Sequence, residues 1–214
     1  MQIHPALLTA NFNTLLLLIS ELESAHAHLD IDIIDWLRTP MKTVPAEQVL
    51  TIKTKSLLSF DLMMDYPSAT VNLLISDPRV DTIIINLECK DPIDPIIDLI
   101  HFHKKKVGIS VNPNNHFYQI VPFFPQVDLI QVYTVEPGAQ GQPFLPERLQ
   151  LTKNIRDFGF DCLIEIDGGV RHENIALFKK FPIDILSVGG EIEKDIDPLA
   201  EYKKLVVEAN STTN

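Results

Sequence analysis

The sequence is short of cysteine, of positive charge and of long apolar runs, and each shortage excludes a class of protein. Its two cysteines, Cys89 and Cys162, lie in strand-like segments and form no metal-ligand spacing. They are expected to be buried free thiols, as in a reducing compartment, and not a disulfide framework. Lysine and arginine number 18 against 29 aspartates and glutamates, a net charge of −11. Nucleic acid needs a basic face, so it is not expected as a partner. The basic run Lys104-Lys105-Lys106 follows an apolar helical stretch and is expected to mark a solvated helix end. The leucine-rich run at 15–19 is too short to span a bilayer, and Met1 to Pro5 lack the basic start of a signal peptide. No membrane partner and a cytoplasmic location are expected. No G-x-G-x-x-G follows the first strand-like run, which disfavours an open-sheet nucleotide binder.

What the chain has is rhythm. Short apolar runs at 3–8, 29–34, 57–63, 82–87, 107–111, 129–133, 163–166 and 185–188 read as strands. Helical patterns lie near 14–26, 46–54, 68–75, 94–105, 116–123, 146–158, 173–179 and 198–207, with Asp94 a candidate N-cap and Pro95 at the first helical position. Strands that are apolar throughout, rather than alternating, belong in parallel sheets covered by helices. Eight β-α units without a composition break predict a single α/β domain, a (β/α)8 TIM barrel over residues 1–208, with a polar frayed tail at 209–214.

In such a barrel the chemistry sits at the C-terminal strand ends. Four aspartates fall there: Asp30 and Asp32 on the second strand, Asp61 on the third and Asp167 at the end of the seventh. Successive strand side chains alternate faces, so Asp30 and Asp32 point the same way. Carboxylates converging in an apolar setting persist by binding a cation, by sharing protons or by staying wet. Asp35 reads as a loop residue after the second strand. Among the seven histidines, His28 shares the Asp30 face one layer deeper, near the barrel floor. His4, His26, His101, His103, His116 and His172 read as surface or packing residues. Glycines cluster after three consecutive strands: Gly138 and Gly141, then Gly168 and Gly169, then Gly189 and Gly190. They let backbone N–H groups approach an anion, and the ends of strands seven and eight are the usual barrel phosphate site. With no lysine or arginine read into these loops, backbone N–H groups and helix N-termini are expected to carry the binding.

At this point the chain resembles the ribulose-phosphate 3-epimerase family. Residues 5–12, Pro-Ala-Leu-Leu-Thr-Ala-Asn-Phe, resemble its P-S-I-L-S-A-D-F, and residues 30–35 its H-x-D-x-M-D, with Pro40 at the spacing of that loop's proline. Phe60-Asp61-Leu62-Met63 resembles V-H-L-M, and 135–142 resembles V-N-P-G-F-G-G-Q. Residues 165–170, Glu-Ile-Asp-Gly-Gly-Val, are similar to E-V-D-G-G-V. The resemblance implies that Asp32 and Asp167 are the acid/base pair flanking the reacting carbon and also metal ligands. It implies substrate contacts at Thr9 and Met63, and phosphate-binding backbone at the six glycines named above.

Both metal-binding histidines of the family are aspartates here, Asp30 and Asp61. The implied metal set Asp30, Asp32, Asp61 and Asp167 is all oxygen, which suits Mg or Mn better than Zn or Fe as the divalent metal ion. The methionines beside the reacting carbons become Ile34 and Tyr133, and Glu191 follows the last glycine pair, where an inward carboxylate would oppose phosphate. The expected function is epimerisation of a ketose phosphate, ribulose 5-phosphate/xylulose 5-phosphate or a close analogue. A catalytically silent phosphosugar-binding barrel is the alternative. A sugar-phosphate lyase or decarboxylase is weaker, because Asp32 stands where D-x-K-x-x-D needs lysine. The expected partner is a small sugar phosphate. A homo-oligomer is compatible with such a barrel, and no sequence patch decides it.

Overall fold

The apolar runs form eight strands: β1 (Gln2–Leu7), β2 (Leu29–Asp35), β3 (Leu58–Met64), β4 (Val80–Asn86), β5 (Lys106–Val111), β6 (Leu129–Tyr133), β7 (Leu163–Asp167) and β8 (Ile185–Val188). Each pairs in parallel with its sequence neighbour, and β8 returns to β1, so the sheet closes into an eight-stranded barrel. The computed structural model describes residues 1–25, 27–37, 39–139 and 141–211. Around the sheet run α1 (Phe12–Leu22), α2 (Ala46–Val49), α3 (Ser68–Leu74), α4 (Ile93–Phe102), α5 (Phe117–Ile120), α6 (Gln150–Asp157), α7 (His172–Phe178), α8 (Gly190–Glu193) and α9 (Pro198–Asn210).

The outward strand residues Ile31, Phe60, Ile83 and Ile109 pack with helix residues such as Leu15, Val71, Ile97 and Leu205 in one continuous apolar shell. Each such side chain contributes roughly 1.5–3 kcal/mol on burial, so this shell supplies most of the drive to fold. The inward faces are different. Ile84, Leu129 and Ile185 plug the N-terminal floor, and Gly108 lets the plug pack closely, since an added Cβ would lie 2.9 Å from Leu129 Cδ2 and push that side chain aside. At the C-terminal mouth Ile34, Trp36, Met63 and Tyr133 form a second small cluster. Between plug and mouth the lumen is polar, and β6 shows the sequence of layers: Leu129 in the plug, Gln131 in the polar belt, Tyr133 in the mouth.

Several local expectations give way to the structure. Pro92 takes the N-cap of α4, which starts at Ile93, so Asp94 lies inside the first turn and does not cap it. Residues 46–54 are helical only to Val49, and after α5 the chain tightens to a 3-10 turn at Val121–Gln126, where Pro122 and Pro125 remove donors an α-helix needs. The lysine run is not a free helix end: Lys105 Nζ donates to Asp77 and Val80 carbonyls at 2.8 Å, and Lys106 opens β5. α9 runs to Asn210 with Ala209 buried, two residues past the expected end of the barrel, and 212–214 lie outside the described residues, as do His26, Arg38 and Gln140. Cys89 and Cys162 are free, and burial pushes both thiols up to about 11.

Candidate active site

Strand register brings the carboxylates together. Asp32 sits beside Asp61 in the β2–β3 pairing, and Asp167 sits between Tyr133 and Ser187 on β6 and β8. Asp32, Asp167 and Met63 line a cavity of about 290 Å³ at the barrel mouth. All six expected phosphate glycines line the same cavity. Asp30, Asp61 and Thr9 lie off its wall. Asp30 and Asp61 are fully buried beneath the mouth, while the Thr9 hydroxyl accepts from the Asn11 N–H at 3.1 Å in the turn before α1. Asp35 ends β2 pointing outward and pairs with Lys42 at 2.7 Å.

Burial and mutual repulsion dominate the electrostatics. Burial, then the charges of Asp167 and Asp61, hold Asp32 well above the ordinary carboxylate value. Asp167 is pushed up to about 7 by burial and then by Asp30. Burial and Asp167 also raise Asp61, although the Tyr133 hydroxyl donates to Asp61 Oδ2 at 2.6 Å. Asp61 Oδ1 has no hydrogen-bond partner. Burial and like charge outweigh the hydrogen bond from Tyr133, so Asp32, Asp61 and Asp167 all hold protons more tightly than ordinary carboxylates.

One layer deeper, around Asp30 and His28, stand His4 and Glu165, which the sequence alone did not assign to the site. His4 is buried and points into the lumen, with Nδ1 3.2 Å from Asp30 Oδ1. Ser187 donates to Asp30 Oδ2 at 2.7 Å. Burial alone would raise Asp30, but His4, His28 and Ser187 together bring it below the ordinary value. Glu165 is fully buried, accepts from Gln131 Nε2 at 2.8 Å through Oε1, and leaves Oε2 unpartnered. His28 is half-buried, stacks on His4 with ring centres 4.5 Å apart and meets the Ser59 hydroxyl at 2.8 Å. Among the described residues, His4–Asp30–Glu165 and the surface set His172–Glu191–Glu201 each bring ligand atoms within 4.8 Å of one another, and the four aspartates do not form such a group. A cation would nonetheless suit the mouth by chemistry, given an all-oxygen donor set and the orphan Asp61 Oδ1. His4 was legible in principle, since alternation along β1 places it on the same face as Ala6.

The phosphate loops are sterically committed. Gly168 has φ +102° and Gly169 φ +64°, and a Cβ at either would fall 2.4 Å from Val135 or 2.6 Å from Phe144. Arg171 and Lys194 also line the cavity, which corrects the expectation that backbone groups act alone. Lys194 Nζ lies 3.6 Å from where a Gly190 Cβ would stand, directly over the glycine pair. Glu191 lines the cavity as well, with Arg171 3.9 Å away to offset its charge.

The profile of the Ribulose-phosphate 3 epimerase family matches residues 2–192. A ribulose-phosphate 3-epimerase of Aquifex aeolicus is 31% identical over 185 residues, covering 83% of this chain and 82% of that protein. One of Helicobacter pylori is 27% identical over 213 residues, covering 97% and 95%. In solved structures the chain is similar to 3-hexulose-6-phosphate synthase from Salmonella typhimurium, with TM-score 0.76, 16% identity and 98% of both chains covered. It is also similar to KGPDC from Streptococcus mutans in complex with D-R5P, with TM-score 0.71, 13% identity and 97% and 96% covered. These two likenesses speak to the barrel alone.

Proposed function

The chain belongs to the ribulose-phosphate 3-epimerase family, whose members are carbohydrate epimerases, and from that premise we propose that it epimerises a ketose phosphate at the carbon beside the ketone, with Asp32 and Asp167 as the acid/base pair. Ribulose 5-phosphate and xylulose 5-phosphate, or close analogues, are the proposed substrates. The observation that carries this reading is the pairing of Asp32 and Asp167 on one cavity wall with affinities for protons raised in both.

The reaction needs one carboxylate of the pair ionised and the other protonated, and the raised proton affinities of both favour that division. The ionised partner takes the proton from the carbon, the electron pair moves onto the carbonyl oxygen, and the protonated partner returns a proton to the opposite face. For the reverse substrate the roles exchange. Asp30, Asp32, Asp61 and Asp167 are the residues that would hold a divalent cation here, Mg or Mn in preference to Zn or Fe. A bound cation supplies charge stabilisation for the oxygen that becomes negative. Met63 presents a buried apolar wall on the substrate side, and Tyr133 closes the mouth while donating to Asp61. The phosphate is proposed to sit on Gly168–Gly169 and Gly189–Gly190, with Gly138 and Gly141 over it and Lys194 and Arg171 supplying positive charge.

The test is exchange of solvent deuterium into the substrate carbon, followed by NMR over a panel of pentulose and hexulose phosphates and divalent metals. Exchange with a pentulose 5-phosphate is expected. Folded protein that gives none with any combination leaves a phosphosugar-binding barrel instead. The lyase alternative finds no support in the site, because Asp32 occupies the place its lysine would need.

A further inference from the structure

We infer that the layer beneath the acid/base pair forms a divalent-cation seat of its own, with His4 Nδ1, Asp30 Oδ1 and a Glu165 oxygen as ligands. The inference asks nothing of the substrate and stands whether or not the epimerase reading holds. Only Asp30 is shared with the four aspartates implied at the mouth.

Geometry comes first. His4, Asp30 and Glu165 stand on β1, β2 and β7, each two residues before Ala6, Asp32 and Asp167 and so on the same face of its strand as that residue. Their ligand atoms lie within 4.8 Å of one another. Bonds of about 2.1 Å to a first-row dication set neighbouring ligands roughly 3.0–3.4 Å apart, and the His4–Asp30 pair already stands at 3.2 Å. Gln2 presents its carbonyl oxygen to His4 Nε2 at 3.3 Å, which fixes the ring with Nδ1 turned to the carboxylate. Metal-bound imidazoles are oriented in the same way, the far nitrogen donating to an oxygen.

The unmet demand points the same way. His4 Nδ1 faces Asp30, and Glu165 stays buried with Oε2 unpartnered. A dication among the three would answer both carboxylates at once. The surroundings are prepared for it, since Gln131 fixes the other Glu165 oxygen and Ser187 the other Asp30 oxygen. With one imidazole among the ligands, the seat favours Mn2+ or Co2+ over Mg2+, which takes oxygen donors.

The probe is Mn2+ added to the intact protein without substrate, read by binding stoichiometry and by electron spin-echo spectroscopy for imidazole nitrogen coupling. One tight Mn2+ per chain with nitrogen coupling is expected. Glu165→Gln should weaken binding by at least ~100-fold, above the 10–100-fold cost of losing an outer partner. His4→Gln should remove the nitrogen signal, and His172→Gln, on the barrel flank, should leave the affinity within about threefold. No tight Mn2+, Mn2+ without nitrogen coupling, or binding lost in Asp61→Asn yet intact in Glu165→Gln would each overturn the seat. If His4→Gln does not fold, the wild-type nitrogen signal and Glu165→Gln still decide. Deuterium exchange, scored separately, reports on the epimerase reading.

Discussion

His4, Asp30 and Glu165 inside the barrel and His172, Glu201 and Glu208 on its flank each combine one imidazole with two carboxylates and differ in their surroundings. On the flank, His172 Nε2 meets Glu201, Nδ1 meets Glu208 at 2.5 Å, and Glu201 also takes Lys204 at 2.9 Å. The half-exposed ring there joins the start of α7 to α9, and each carboxylate has its cation. Inside, one imidazole faces a belt of buried carboxylates, and Glu165 Oε2 and Asp61 Oδ1 have no partner. Equal chemistry thus gives a brace where demand is met and a site where burial leaves it unmet.

The sharpest way to break this contrast is catalytic. Asp32→Asn and Asp167→Asn should each lower deuterium exchange by about 10³-fold, within the span for loss of an acid/base group, whereas His172→Gln should leave it nearly unchanged. Comparable losses from both regions would erase the distinction.

Next in size is pH. Asp167 binds its proton up to about pH 7 in the folded chain, against an ordinary value near 3.8. The unfolded chain therefore holds fewer protons between those values, and stability falls as pH rises from 4 to 7, by roughly 3–4 kcal/mol from this group at 1.36 kcal/mol per unit. Asp32, Asp61 and Glu165 act in the same sense. His28, lowered first by burial, opposes them below its ordinary value of 6.5. Denaturant melts of metal-free protein at constant ionic strength from pH 5 to 7.5 should show the decline, and a flat profile would mean that the interior carries no frustrated charge.

Cation linkage is slightly smaller. Mn2+ at 100 times its Kd should stabilise the fold by about 2.7 kcal/mol. Calorimetry at that Mn2+ concentration should show the gain shrink sharply in Glu165→Gln and persist in His172→Gln. Smallest is the brace itself. His172→Ala should cost about 1 kcal/mol or less, as partly exposed ion pairs do. Its hydrogen bond to Glu208 raises the His172 pKa, so the contribution is full below pH 6.5 and lost as pH rises through the folded value. A melt of His172→Ala that matches wild type above pH 9 and falls below it at pH 6 would sharpen the contrast.

The strands, their parallel order and Asp32, Asp61 and Asp167 were legible because each rests on a run of neighbouring residues. His4 was read as a surface or packing residue because its partners, Asp30 and Ser187's strand, lie far along the chain. Glu165 entered only as a letter in a resemblance, since nothing local says that its second oxygen is unpaired. Lys194 reaches the glycine pair across the short helix α8, which the sequence did not announce. The cap expected of Asp94 is not made, because α4 starts at Ile93, with Pro92 at the N-cap position and no side chain capping it.

The carboxylate of Asp30 is held from two sides, by His4 on β1 and by Ser187 on β8, 157 positions further on. A ribosome releases β2 long before β8 exists. Throughout that interval the nascent chain carries an acid with half its ties, beside a sheet that still has two open edges. The β1–β8 seam therefore supplies the second tie of Asp30, and the first quarter of the barrel depends on its last eighth for a complete lumen. A chain that stops short of Ser187 has every aspartate of the site and still lacks the site.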